Sequence, residues 1–116
     1  MIENSTFADN FVNGNAGWSW YVGGVVGYSP AAGSLEIRNS TIVGTKFAPT
    51  VPGVGAVRVP EGTARIYNTV LADNDPLLDD LSGKFAEVAY SLLEDRGSPT
   101  ITNAHHLIEG IDPMLG

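Results

Sequence analysis

The chain contains no cysteine, which excludes a disulfide framework, thiolate catalysis and cysteine-bound metals. Cationic side chains are few: six Lys and Arg stand against thirteen Asp and Glu, for a formal net charge of −7. A nucleic-acid interface needs a basic face to meet phosphates, and an anionic bilayer surface needs a basic segment, so both partners are excluded. No apolar run approaches the roughly 20 residues that span a membrane, so no membrane insertion is expected. The opening, Met1-Ile2-Glu3-Asn4-Ser5, lacks a basic stretch followed by an apolar one, so no signal peptide is read. Long polar helix formers are scarce too. Fourteen glycines and recurrent Asn, Ser and Thr take their place, a composition that favours strands and tight corners.

What is present is a repeated phrase. Ile2-Glu3-Asn4-Ser5-Thr6-Phe7 is echoed by Ile37-Arg38-Asn39-Ser40-Thr41-Ile42, by Ile66-Tyr67-Asn68-Thr69-Val70-Leu71 and, more loosely, by Val88-Ala89-Tyr90-Ser91-Leu92-Leu93. The starts at 2, 37, 66 and 88 are 35, 29 and 22 residues apart. Repeats of that length point to stacked units rather than a closed globule. Asn tolerates the left-handed backbone region, so it suits the corner in the middle of each phrase. Stacked copies place Asn4, Asn39 and Asn68 in one column at about 4.8 Å per step, where their amides can form a ladder. Ser5, Ser40 and Thr69 form a second column beside it. Glycine-led segments precede copies two and three, at Gly23–Gly27 and Gly53–Val59. Three short strands per unit, separated by corners, make one coil of a parallel β-helix. Alternation turns Leu35, Ile37 and Ile42 inward and Glu36 and Arg38 outward. The same register sets Glu3 beneath Arg38 and Glu36 beneath Arg65.

The expected fold is therefore all-β, a single-stranded parallel β-helix of roughly four coils and about 20 Å in height at the usual strand spacing. One domain covers residues 1–116. An aromatic insertion at 13–22 lengthens the first coil, and the rhythm becomes irregular over 75–116.

The Gly-Gly-led strand, the phrase Ile37-Arg38-Asn39-Ser40-Thr41-Ile42, the segment Tyr90–Glu94 and the closing Gly110–Gly116 resemble bacterial right-handed parallel β-helix repeat proteins, the pectate-lyase-like solenoids. The resemblance covers nearly the whole chain. It implies the right-handed coil and secreted or cell-surface parents, and it suggests a truncated or minimal unit. It is less specific for function, because the group spans polysaccharide lyases and hydrolases, adhesins and autotransporter passengers. Its lyases use carboxylate-bound calcium and a basic residue that removes a proton beside a uronate carboxylate. Arg38 and Arg65 have acidic partners in the expected register, which leaves Arg58 as the basic candidate.

Other candidates come from the residues themselves. Asp9 and Asp73 share a register two coils apart, about 9.6 Å at the strand spacing, with Gly44 between them. That separation is near the upper end for an inverting glycosidase pair, but Asp beside Asn is also ordinary corner chemistry. Asp73, Asp75, Asp79 and Asp80 form the densest acidic group and read first as a solvated turn. Calcium is the ion such oxygens would take, although the spacing matches no EF-hand. Trp18, Trp20 and Tyr21 read as a cover for the open end of the stack, as an interface, or as a platform for sugar rings. His105 and His106 read as structural. The functional expectation is a non-catalytic scaffold or interaction module without a cofactor. It associates with itself, as a homodimer, through an uncapped end coil or the Trp18/Trp20 segment. The alternative is a protein that binds or degrades acidic polysaccharide.

Overall fold

The computed structural model describes residues 1–12, 26–27, 34–47, 56–60, 63–74 and 79–114. Among these residues there is no helix. The strands are β1 (Ile2–Glu3), β2 (Thr6–Ala8), β3 (Phe11–Val12), β4 (Val26–Gly27), β5 (Ser34–Arg38), β6 (Thr41–Val43), β7 (Lys46–Phe47), β8 (Val57–Val59), β9 (Thr63–Tyr67), β10 (Val70–Ala72), β11 (Leu81–Ala89), β12 (Leu92–Leu93), β13 (Thr100–His105) and β14 (Ile108–Glu109). Every pairing among them is parallel. One sheet runs β1-β5-β9-β11, with β13 on the far side of β11 and β8-β4 joined to its first half. A second runs β2-β6-β10-β12-β14, and β3 pairs with β7 in a third.

The repeated phrases lie directly over one another. Ile2 pairs with Ile37, Ile37 with Ile66, Ile66 with Val88 and Val88 with Ala104. The loose fourth phrase thus holds the same register, and a fifth follows at Ala104-His105-His106-Leu107-Ile108. The stretch that reads as irregular from its sequence carries β11 to β14 and continues the stack. Its regularity is hidden because Tyr90 and His106 replace the corner Asn.

The corners explain the Asn positions. Asn4, Asn39, Asn68, Tyr90 and His106 occupy equivalent places with φ of 51°, 48°, 48°, 52° and 53°. Asn adopts this left-handed geometry more readily than other non-glycine residues. Its amide contributes less: Asn4, Asn39 and Asn68 are all exposed, and one amide contact joins Asn68 Nδ2 to Asn39 Oδ1 at 3.2 Å. The buried ladder is made of hydroxyls. Ser40, Thr69 and Ser91 are at most 3% exposed. Each donates to the carbonyl two residues earlier, at 2.7, 2.8 and 2.9 Å. The N–H of Ser5 donates to Ser40 Oγ and that of Thr69 to Ser91 Oγ, at 3.3 and 3.1 Å. Each hydroxyl thus completes the bonding of a turn that leaves the sheet. Asn39→Gly is therefore expected to be nearly neutral, whereas Asn39→Ala loses about 1 kcal/mol through left-handed strain. Equal losses in urea unfolding would instead assign the amide the larger role.

The interior follows from alternation. Ile37, Ile42, Ile66, Leu71, Val88 and Leu93 are fully buried, with Val57, Val59 and Leu81 beside them. Phe85 fills the width of the core at 2% exposure. Glu3 pairs with Arg38 in register, and Glu36 with Arg65. The ion pair that forms, however, joins Arg38 to Glu36 on its own strand, where residues two apart share the outer face.

Candidate functional site

The second corner of the stack gathers carboxylates from separate layers. Asp73 sits there at φ 51°, just after β10, and its N–H donates to Glu94 Oε2 at 2.6 Å. Asp112 follows β14, and its carboxylate meets those of Asp73 and Glu94, with one oxygen of each within 4.8 Å of the others. Lys46 Nζ donates to the Asp73 carbonyl at 3.3 Å. Between them lies an open pocket of about 600 Å³, also lined by Asn74, Asp80 and Asp95.

Asp80 is the buried member, 1% exposed. Its Oδ1 accepts from Asn74 Nδ2 at 2.7 Å and its Oδ2 from the Asp95 N–H at 3.0 Å, while its own N–H donates to the Asp95 carbonyl at 2.6 Å. Burial pushes the carboxyl up to about 6, and the nearby Asp95 and Glu94 charges add to the rise. The donated bonds from Asn74 and Asp95 act against it. Asn74 also accepts from the Thr45 N–H at 3.2 Å, so it links two layers. Beside it, Thr45 Oγ1 and Asn10 Nδ2 are buried without a partner among the described residues.

Of the four acidic residues clustered in sequence, Asp73 and Asp80 reach the pocket. Asp79 turns toward the 97–98 turn, where its Oδ2 accepts from the Ser98 N–H at 3.4 Å. Asp75 lies outside the described residues, as do Trp18, Trp20 and Tyr21. Glu94, Asp95 and Asp112 are far from Asp73 in the chain, and only the stacking register brings them close. Asp9 is exposed one layer beyond Gly44, and its Oδ1 lies 2.6 Å from where a Gly44 side chain would begin. Asp9 thus folds over the glycine that separates it from Asp73. Arg58 stands in β8, paired with Ser82 and Gly27, and does not line the pocket.

The first corner carries a different cluster. Tyr67 Oη donates to Glu87 Oε2 at 2.6 Å, and His105 Nε2 lies 2.8 Å from Glu87 Oε1. The Tyr67 bond, followed by His105, holds the Glu87 carboxyl below its ordinary value, and the same Tyr67–Glu87 bond raises the tyrosine. Arg38 sits 5.4 Å from the Tyr67 ring centre. Tyr90, 58% exposed, stacks on His106 at 4.6 Å and meets His105 edge-on at 5.8 Å. A groove of about 310 Å³ beside this ridge is lined by Glu3, Arg38, Asn39, Tyr67, Asn68 and Tyr90.

Comparisons with known protein families, with curated proteins and with solved structures gave no match. Among the described residues, no helix is long and apolar enough to cross a membrane.

Proposed function

We propose that this chain is a right-handed parallel β-helix, of the kind its repeats resemble, and that it serves as a non-catalytic scaffold that associates with itself through an end layer. The parallel registers from Ile2 through Ala104 support the coil. The observation that carries the association is the state of the terminal strands. Among the described residues, β1 and β2 end their sheets on one side, and β13 and β14 do so on the other. Such edges present unpaired N–H and C=O groups that recruit further strands. Apolar side chains lie beside them, with Met1 79% and Ile108 52% exposed. Polar groups on the outer face instead contact one another, as Arg38 does with Glu36 and His105 with Glu87.

Light scattering after size exclusion tests this reading. The expected result is a discrete dimer; a monomer at all concentrations overturns it. A second reading, binding or cleavage of acidic polysaccharide, draws on the groove lined by Arg38, Tyr67 and Tyr90. Aromatic faces stack on sugar rings and a guanidinium pairs with a uronate carboxylate. Release of unsaturated uronate from pectin or alginate would establish it in place of the scaffold.

A further inference from the structure

We infer that the 94–98 turn is a strap over the acidic pocket, closed while Asp80 carries its proton and released when Asp80 ionises. The turn joins two fixed points. It leaves β12, where the Glu94 N–H donates to the Leu71 carbonyl at 3.0 Å, and it returns to β13, which pairs with β11 from Thr100 onward. Between them its contacts fall on two adjacent residues. The Asp80 N–H donates to the Asp95 carbonyl at 2.6 Å, and the Asp95 N–H donates back to Asp80 Oδ2 at 3.0 Å. The Ser98 N–H donates to Asp79 Oδ2 at 3.4 Å. Gly97 lies so close to Asp79 that a side chain there would begin 2.0 Å from the Asp79 carboxyl carbon. The other tie is the ion pair of Arg96 with Glu109 at 3.0 Å, and such exposed pairs contribute little. Asp95, Gly97 and Ser98 are themselves exposed, so little apolar surface holds the turn down.

The charges around Asp80 decide which state is favoured. Asp80 is buried beneath the turn, and Asp95 and Glu94 face it from the turn itself, both opposing its ionisation. Asp73 and Asp112 line the same pocket from the corners after β10 and β14, and Asp79 precedes it in the chain. Among the described residues Lys46 is the one cation lining the pocket, and its Nζ donates to the Asp73 carbonyl. Only the neutral donors Asn74 Nδ2 and the Asp95 N–H reach the Asp80 carboxyl. An ionised Asp80 in the closed state is thus dry and set among other carboxylates, and lifting the turn admits water to it. Its closed value of about 6 lies above the ordinary 3.8, so closure is favoured at low pH and opening gains as pH rises through that range. Asp95 forms one wall of the pocket, and the strap thereby couples access to the buried carboxyl to pH.

Amide exchange followed by NMR at pH 5 and pH 8 tests this, with each rate divided by that of an unstructured chain at the same pH. In wild type the protection of the Asp95 and Ser98 N–H groups is expected to fall about tenfold from pH 5 to pH 8, the ratio that values of 3.8 and about 6 imply. At both pH values these two should be less protected than Val70 and Leu92, whose N–H groups donate across layers to the Ser40 and Thr69 carbonyls. Asp80→Asn cannot ionise, so its turn should show the same protection at both pH values, whatever the level, while Val70 and Leu92 report that the variant is folded. Equal protection of turn and strands in wild type would mean that the turn opens only with the whole fold, and it overturns the strap. So does a wild-type turn whose protection ignores pH. A fall that persists in Asp80→Asn overturns it too, since other groups would then be the cause.

Discussion

Gly83→Ala is expected to destabilise the protein by about 3 kcal/mol or more, through backbone strain and overpacking together. β8 and β9 are separate strands, whereas β11 runs unbroken alongside both. It pairs with β8 through residues 81–83 and with β9 through residues 87–89. Gly83 makes the change of direction, at φ 102°. A side chain there would begin 2.1 Å from the Val59 carbonyl oxygen, 2.5 Å from its carbon and 3.0 Å from Pro60 N. All three are backbone atoms, so β8 itself would have to move. Gly110→Ala is the control. Gly110 also has positive φ, 69°, but nothing lies within 4 Å, so only left-handed strain of about 1 kcal/mol is expected. Denaturant unfolding of both variants decides the matter. A Gly83→Ala loss no larger than that of Gly110→Ala would mean that β11 bends without needing the glycine.

The second large effect is a dependence of stability on pH that centres on Asp80. Its folded value of about 6 lies above the ordinary 3.8, so the folded state binds this proton more tightly than the unfolded chain does. Stability therefore falls as pH rises from below 3.8 through 6 and is regained on acidification. A shift of that size corresponds to about 3 kcal/mol at most. Glu87 has the opposite sign, because its folded carboxyl is lowered, but its contribution is lost only below its ordinary value of 4.5. Wild type should be more stable at pH 5 than at pH 8 by about 1 kcal/mol, roughly half of that shift, the rest being lost between pH 3.8 and 5. Asp80→Asn removes the charge and should remove most of the pH difference, but its single acceptor oxygen leaves either Asn74 Nδ2 or the Asp95 N–H facing an amide nitrogen, so no gain in stability at pH 8 is expected. Asp80→Ala, by contrast, leaves the Asp95 N–H and Asn74 Nδ2 unpaired and should cost about 1–3 kcal/mol at either pH. Urea midpoints of the three proteins at pH 5 and 8 measure this. A wild-type difference that survives in Asp80→Asn would assign the effect to other groups.

The pH effect and the acidic pocket were not legible in the sequence for the same reason. Asp80 looks like one of four neighbouring acids in a solvated turn. Its burial depends on the 94–98 turn folding back across it, a contact between residues fifteen apart. The carboxylates of Glu94 and Asp112 join Asp73 only because short strands of successive layers share a register. His105 likewise looks incidental beside His106. It meets Glu87, whose other oxygen accepts from Tyr67, because three strands set outward positions side by side.

The sequence by itself determined the all-β character, the stacking of the Ile2, Ile37 and Ile66 phrases, the inward and outward faces of β5, and the corners at Asn4, Asn39 and Asn68. These follow from local rules: side chains alternate along a strand, and Asn accepts the left-handed turn. The tertiary structure alone decided that the hydroxyls rather than the amides are buried, that Tyr90 and His106 occupy Asn corners, and that Glu109 shares a column with Ile42, Leu71 and Leu93. Each of these depends on which layer lies above or below. In a parallel stack that neighbour is supplied by residues 16 to 35 positions away, beyond the reach of any local pattern.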